Sequence, residues 1–133
     1  MSAKEVRDDR RYTKDHEWAL SKDGEIIVGI SAYAVDQLGD ITLVNIDVSE
    51  GDDVDEGAAF GTIESVKTLS DLFAPLAGTV TRINSELEDS PEIINDDCWD
   101  KGWMISIRPK SAQALDALMD AEAYTQHVEQ ADH

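Results

Sequence analysis

Apolar residues recur along this chain mostly in short runs with a period near two. Residues 41–48 are apolar at Ile41, Leu43, Val44, Ile46 and Val48, the mark of a strand with one face turned inward. Similar short runs occur at 18–20, 25–30, 58–63, 68–74, 79–83 and 104–107, separated by turn-forming residues. Lys22-Asp23-Gly24 joins the first two of these as a hairpin signal. Ser31-Ala32-Tyr33-Ala34-Val35-Asp36-Gln37-Leu38 breaks the alternation. It begins on a residue able to cap a helix and stops at Gly39, so it predicts a short helix. Ser90-Pro91-Glu92 predicts a helical turn with proline in its first position. From Ser111 onward, Ala112, Ala114, Leu115, Leu118 and Met119 fall on one stripe and predict an amphipathic helix, with a second helix from about Asp120.

Two of the runs, 58–63 and 68–74, are separated by Glu64-Ser65-Val66-Lys67, which places a single lysine at the tip of a turn. An exposed lysine there is open to acylation, which converts a point charge into a long neutral arm. Around it lies an internal repeat. Gly39-Asp40-Ile41-Thr42-Leu43-Val44-Asn45 matches Gly78-Thr79-Val80-Thr81-Arg82-Ile83-Asn84, and the same offset carries on to Glu50, Asp53 and Val54 against Asp89, Glu92 and Ile93. Two related hairpin halves packed face to face predict a small sandwich with the linking turn exposed at one end.

The residues around the turn also carry a family resemblance. Glu64-Ser65-Val66-Lys67, with Ser70-Asp71 and Ala74-Pro75-Leu76-Ala77-Gly78, resembles the lipoyl-attachment region of the H protein of the glycine cleavage system. Tyr12 to Trp18, Gly29 to Ile41, Leu87 to Asn95, Gly102 to Ile105 and Asp120 to Tyr124 resemble further segments of that family in order. The resemblance implies a mainly β fold, a lipoyl/biotinyl-type flattened β-barrel sandwich of two pseudo-symmetric halves with short helices and a C-terminal helix. It implies lipoic acid in amide linkage on Lys67, with Glu64, Ser65, Val66 and Asp71 contributing to recognition of the attachment site. It also implies a carrier with no catalytic residues of its own. Such a carrier shuttles an aminomethyl group and reducing equivalents between a pyridoxal-phosphate glycine decarboxylase, a tetrahydrofolate-dependent aminomethyltransferase and dihydrolipoyl dehydrogenase. A lipoate-attaching enzyme is a further implied partner. Thr68 departs from the family, where a small alanine more often follows the lysine.

Composition narrows the alternatives. The formal charge is −18, from 29 acidic residues against 11 Lys and Arg, which repels nucleic acid and anionic membranes. No apolar run approaches the roughly 20 residues of a membrane span. The single cysteine, Cys98, forms no internal disulfide and reads as a spectator in a reducing compartment. Residues 1–11 lack the apolar core of a secretory signal, so a cytoplasmic chain is expected, with 1–11 as a flexible arm and 12–133 as one carrier domain. A monomer suits a shuttling carrier. The three histidines are scattered and the acids at 50–53 lack the spacing of a calcium loop, so no metal is expected. Acids beside His16 are expected to raise its pKa. Two other functions fit a tip lysine. A lipoyl relay that donates lipoate to other proteins is not distinguished by sequence, whereas a biotin carrier usually has Met-Lys-Met where this chain has Val66-Lys67-Thr68.

Overall fold

The computed structural model describes residues 5–111 and 113–131. The alternating segments pair into two antiparallel sheets. Strands β1 (Arg11–Tyr12), β2 (Glu17–Lys22), β3 (Glu25–Ile30), β5 (Asp53–Val54), β8 (Gly78–Ile83) and β9 (Ile105–Pro109) form the larger, in the order β1-β2-β3-β9-β8-β5. Strands β4 (Ile41–Ile46), β6 (Ala59–Ser65) and β7 (Leu69–Phe73) form the smaller, in the order β4-β6-β7. One continuous core draws on both, including Val44, Ile63 and Leu72 from the smaller sheet and Val28, Val80 and Ile107 from the larger. Each such side chain, fully buried, stabilises the fold by about 1.5–3 kcal/mol.

The two copies of the internal repeat land on β4 and β8, one in each sheet, as expected for a sandwich of related halves. The likeness ends with the strands. Residues 50–54 continue as a turn and β5, while the matching 89–93 enter helix α3 (Glu92–Asp96) after the short α2 (Glu86–Asp89). Pro91 stands at the N-cap of α3, one residue before the predicted place.

Helix α1 (Ala32–Leu38) matches its prediction at both ends. Ser31 Oγ accepts the Ala34 amide at 3.3 Å, and Gly39, at φ 78°, closes the helix by donating to the Val35 carbonyl. The amphipathic helix expected after Ser111 does not form. Among the described residues the segment holds only a 3-10 turn at Ala114–Ala117, because the backbone beyond is committed elsewhere. Tyr12 and Met119 exchange two hydrogen bonds at 2.8 and 3.0 Å, and Leu118 is extended to reach them. Ala112 lies outside the described residues. Helix α4 (Ala121–Ala131) follows, with Asp120 Oδ1 accepting the Ala123 amide at 2.9 Å. It docks through Tyr124, which stacks on Tyr12 at 4.3 Å and joins His16 Nδ1 and Ser31 Oγ at 2.8 and 2.6 Å.

Before β1 the chain already lies on the sandwich. Arg10 is 5% exposed, stacks between Trp18 and Trp99, and donates to the Trp99 carbonyl at 2.9 Å. The expected flexible arm therefore does not extend to residue 10. Trp18 in turn lies directly on Gly29 of the neighbouring strand, where an added Cβ would stand 2.4 Å from the indole. Gly29→Ala should thus force a buried, closely packed ring to move. Its expected effect is a loss of about 1–3 kcal/mol, read as a lower midpoint in denaturant unfolding.

Candidate functional site

Strands β6 and β7 pair in register up to Glu64 opposite Leu69, which leaves Ser65, Val66, Lys67 and Thr68 to turn the chain. The Ser65 amide donates to the Thr68 carbonyl at 2.8 Å. Ser65 Oγ fills the turn, accepting the amides of Lys67 and Thr68 and donating to the Thr68 carbonyl, each at 3.2 Å. A serine can do this because its short side chain mimics a backbone partner. The hairpin is tied to the rest of the sandwich by the Val66 amide, which donates to the Asp40 carbonyl at 3.0 Å.

That carbonyl is itself held in place. Asn95 on α3 reaches across with both ends of its amide. Its Nδ2 donates to the Gly39 carbonyl at 3.0 Å, and its Oδ1 accepts the Ile41 amide at 2.9 Å. Gly39 also makes room for the lysine, since an added Cβ there would stand 3.3 Å from Lys67 Cε. The lysine stem thus lies over a glycine while the residue as a whole is exposed. Among the described residues Lys67 Nζ has no ion pair, and the cross-turn pairing with Glu64 that the spacing allows is not formed.

Glu64 and Asp71 lie on the outer face of the smaller sheet. One row across that face is Leu43, Glu64, Leu69, and the next is Asn45, Thr62, Asp71. Strict alternation from Ile41 would have turned Leu43 inward. Instead a bulge at Thr42 resets the register, burying Ile41 and Val44 and turning Leu43 out. Glu64, Ser65, Val66, Lys67 and Asp71 therefore occupy one end and one face of the sheet. Sequence reasoning did not find Asn95, Gly39 or Leu43, whose contributions depend on contacts between distant segments and on a bulge that no local pattern announces.

A groove of about 420 Å³ opens at the other end of β7, lined in part by Thr13, Lys14, Glu17, Phe73, Pro75 and Met119. The carboxyl of Glu17, a buried residue, lies here. It accepts the Thr13 hydroxyl at 2.6 Å and the Phe73 amide at 3.4 Å. Burial outweighs those two hydrogen bonds and pushes its pKa up to about 7. His16, next to it, differs from expectation. Burial, and then the nearby His127, lower its pKa, and the raising effect of Asp15 is smaller. The Cys98 thiol is buried and pushed up to about 12, mainly by desolvation, which makes it inert. Among the described residues no cluster of three or more His, Cys, Asp or Glu side chains could hold a metal ion, and no helix is long and apolar enough to cross a membrane.

A two-sheet sandwich with one unpaired lysine at the tip of a hairpin defines the lipoyl/biotinyl-type class of domain. Comparison with known proteins takes this further. The family model described as glycine cleavage H-protein matches residues 10–131. A glycine cleavage system H protein from Anaeromyxobacter sp. strain K is 49% identical over 127 residues, covering 95% of this chain and 98% of the relative. One from Staphylococcus carnosus is 41% identical over 123 residues, covering 92% and 97%. The crystal structure of a glycine cleavage system H protein from Mycobacterium marinum superposes with a TM-score of 0.82 at 34% identity, covering 96% of this chain and all of that one (100%). The chain belongs to the glycine cleavage H-protein family.

Two outcomes are expected from the site's geometry. Asn95→Ala removes both hydrogen bonds under the hairpin and leaves two backbone groups unpaired, so it should destabilise by about 1–3 kcal/mol in chemical unfolding. Glu17 ionises near pH 4.5 when unfolded and near 7 when folded, so the unfolded state loses this proton first as pH rises. Its contribution to stability is then full below about 4.5 and is lost progressively up to about 7, on the order of 3 kcal/mol. The stability of Glu17→Gln relative to the parent should rise across that window. A pH-independent difference between the two would contradict the assignment.

Proposed function

We propose that this chain is the lipoyl carrier of the glycine cleavage system, with lipoate in amide linkage on Lys67. Family membership supports the carrier role, and the shared designation of the relatives favours it over lipoate relay. The observation that carries the assignment to Lys67 is its presentation. It is an exposed amine without an ion pair, on a turn fixed by Ser65 and by the Asp40 carbonyl. When attached, the lipoyl dithiolane supplies a disulfide that accepts an aminomethyl group and two electrons together.

The chain's own residues provide the stage. Ser65 and Asn95 fix the direction in which the arm leaves the surface. The tether keeps the far end of the arm at high effective concentration near each partner's active site in turn. Glu64 and Asp71 mark the attachment face for the lipoate-attaching enzyme. At the other end of β7, Glu17 gives the groove a carboxyl that can meet a cationic aminomethyl group, beside the apolar surface of Phe73, Pro75 and Met119. The chain is a non-catalytic component. Its partners are the pyridoxal-phosphate decarboxylase acting on glycine, the tetrahydrofolate-dependent aminomethyltransferase and dihydrolipoyl dehydrogenase. It works as a monomer in the cytoplasm, which agrees with its single buried thiol.

Lys67→Arg keeps the charge and removes the acylatable amine. Its stability should stay within about 0.5 kcal/mol of the parent, as for other exposed substitutions. Exchange of the glycine carboxyl carbon with bicarbonate, in the presence of the decarboxylase, should fall to background. Retained exchange would refute the assignment of Lys67.

A further inference from the structure

The large apolar side chains that this protein exposes, among the described residues, are Val66 (66% exposed), Leu69 (60%) and Leu43 (44%). All three lie at the end of the smaller sheet that carries Lys67. Val66 precedes it in the turn, Leu69 follows as the first residue of β7, and Leu43 joins them across the sheet through Glu64. The grouping is built rather than incidental, because the bulge at Thr42 is what turns Leu43 outward. No helix or strand of the described residues covers these three. Isolated exposed apolar residues are ordinary on a protein surface, but a set gathered at one functional end marks an interaction site. Around them stand the carboxylates of Asp40, Glu64 and Asp71, on a chain of formal charge −18.

We propose that Val66, Leu69 and Leu43 form an apolar collar on which the lipoate-attaching enzyme docks, and that this enzyme presents an apolar mouth rimmed by basic side chains. The inference rests on Lys67 being the attachment residue. Reach selects the occupant. The lysine stem has four carbons, so Nζ stands only about 6 Å from the backbone. An enzyme that forms a bond at Nζ must close over Val66 and Leu69 to do so. Enzymes that act on the far end of the finished arm are held off by the length of the acyl chain. In the transfer, the Nζ–carbon amide bond forms and the bond from the acyl carbon to the phosphate of an acyl adenylate breaks. The nucleotide leaves with the electron pair, and the lysine ammonium gives up two protons, one before attack and one after. The collar takes no part in these bond changes. It positions the acceptor, so its loss should appear in KM.

The test measures initial rates of lipoylation by intact mass spectrometry, with a purified lipoate-attaching enzyme, lipoate and ATP, against acceptor concentration. Leu69→Ser, Val66→Thr and Leu43→Ser should each raise KM, by about 5- to 10-fold at the two positions nearest the lysine, with kcat little changed. Leu69→Met, which keeps the apolar surface, should restore KM to the parent value. Acetylation of Lys67 by a small amine-reactive ester should proceed equally in all variants, showing that the turn remains folded and open. Unchanged KM in every collar variant would overturn the proposal. So would normal lipoylation combined with loss of glycine exchange in the lipoylated variants, which would assign the collar to enzymes of the cycle. Failure of the parent chain to accept lipoate, while a control acceptor is modified, would overturn the assignment of Lys67 and this inference with it.

Discussion

One backbone hydrogen bond sets the position of the functional end of this protein, the 3.0 Å tie from the Val66 amide to the Asp40 carbonyl. A hairpin joined only to its neighbouring strands could twist about them. This tie locks the turn onto the segment between α1 and β4. Asn95 then fixes that segment by engaging both sides of Asp40, through the Gly39 carbonyl and the Ile41 amide. Three elements far apart in sequence thus converge under a single lysine. The carrier role proposed for Lys67 places opposite demands on it, an amine free to move on a base that is not. The lysine stem over Gly39 and the serine-filled turn beneath it meet those demands separately.

At the other end of β7 the protein accepts an energetic penalty. Glu17 is buried in a place that favours its neutral form, with a pKa pushed up to about 7. A fold selected for stability alone would place an apolar or neutral residue there, since an unpaired buried carboxylate is destabilising. The neighbouring backbone is also strained, because His16 holds φ at 74°, a conformation uncommon outside glycine. Residues in such conformations persist where the surroundings enforce them, here through the contact of His16 with Tyr124 of α4. The C-terminal helix is therefore a brace for the groove as well as a cover for the core.

Much of this was legible in the sequence because it is written in local patterns. Period-two runs gave the principal strands, Ser31 and Gly39 gave both ends of α1, and the repeat placed β4 and β8 in separate sheets. The lysine turn was visible because its flanks are short, apolar and closed by turn residues. What escaped was set by tertiary contacts. The helix expected from Ser111 failed because Met119 pairs with Tyr12, more than a hundred positions away. The outward turn of Leu43 escaped because a bulge leaves no periodic trace. Arg10 was placed in a flexible arm because its charge concealed the flat surface with which it stacks on two tryptophans. The pKa of His16 was expected to rise from its acidic neighbours in sequence, whereas burial and a histidine from α4 dominate in space.

The most direct test of the carrier reading is peptide mass spectrometry of the protein after incubation with an active lipoate-attaching enzyme, lipoate and ATP. The account predicts one lipoyl group per chain, carried by the peptide that contains Lys67. A lipoyl group on a different lysine, a biotinyl group at Lys67 after parallel incubation with a biotin ligase, or no adduct while a control acceptor is modified, would contradict it.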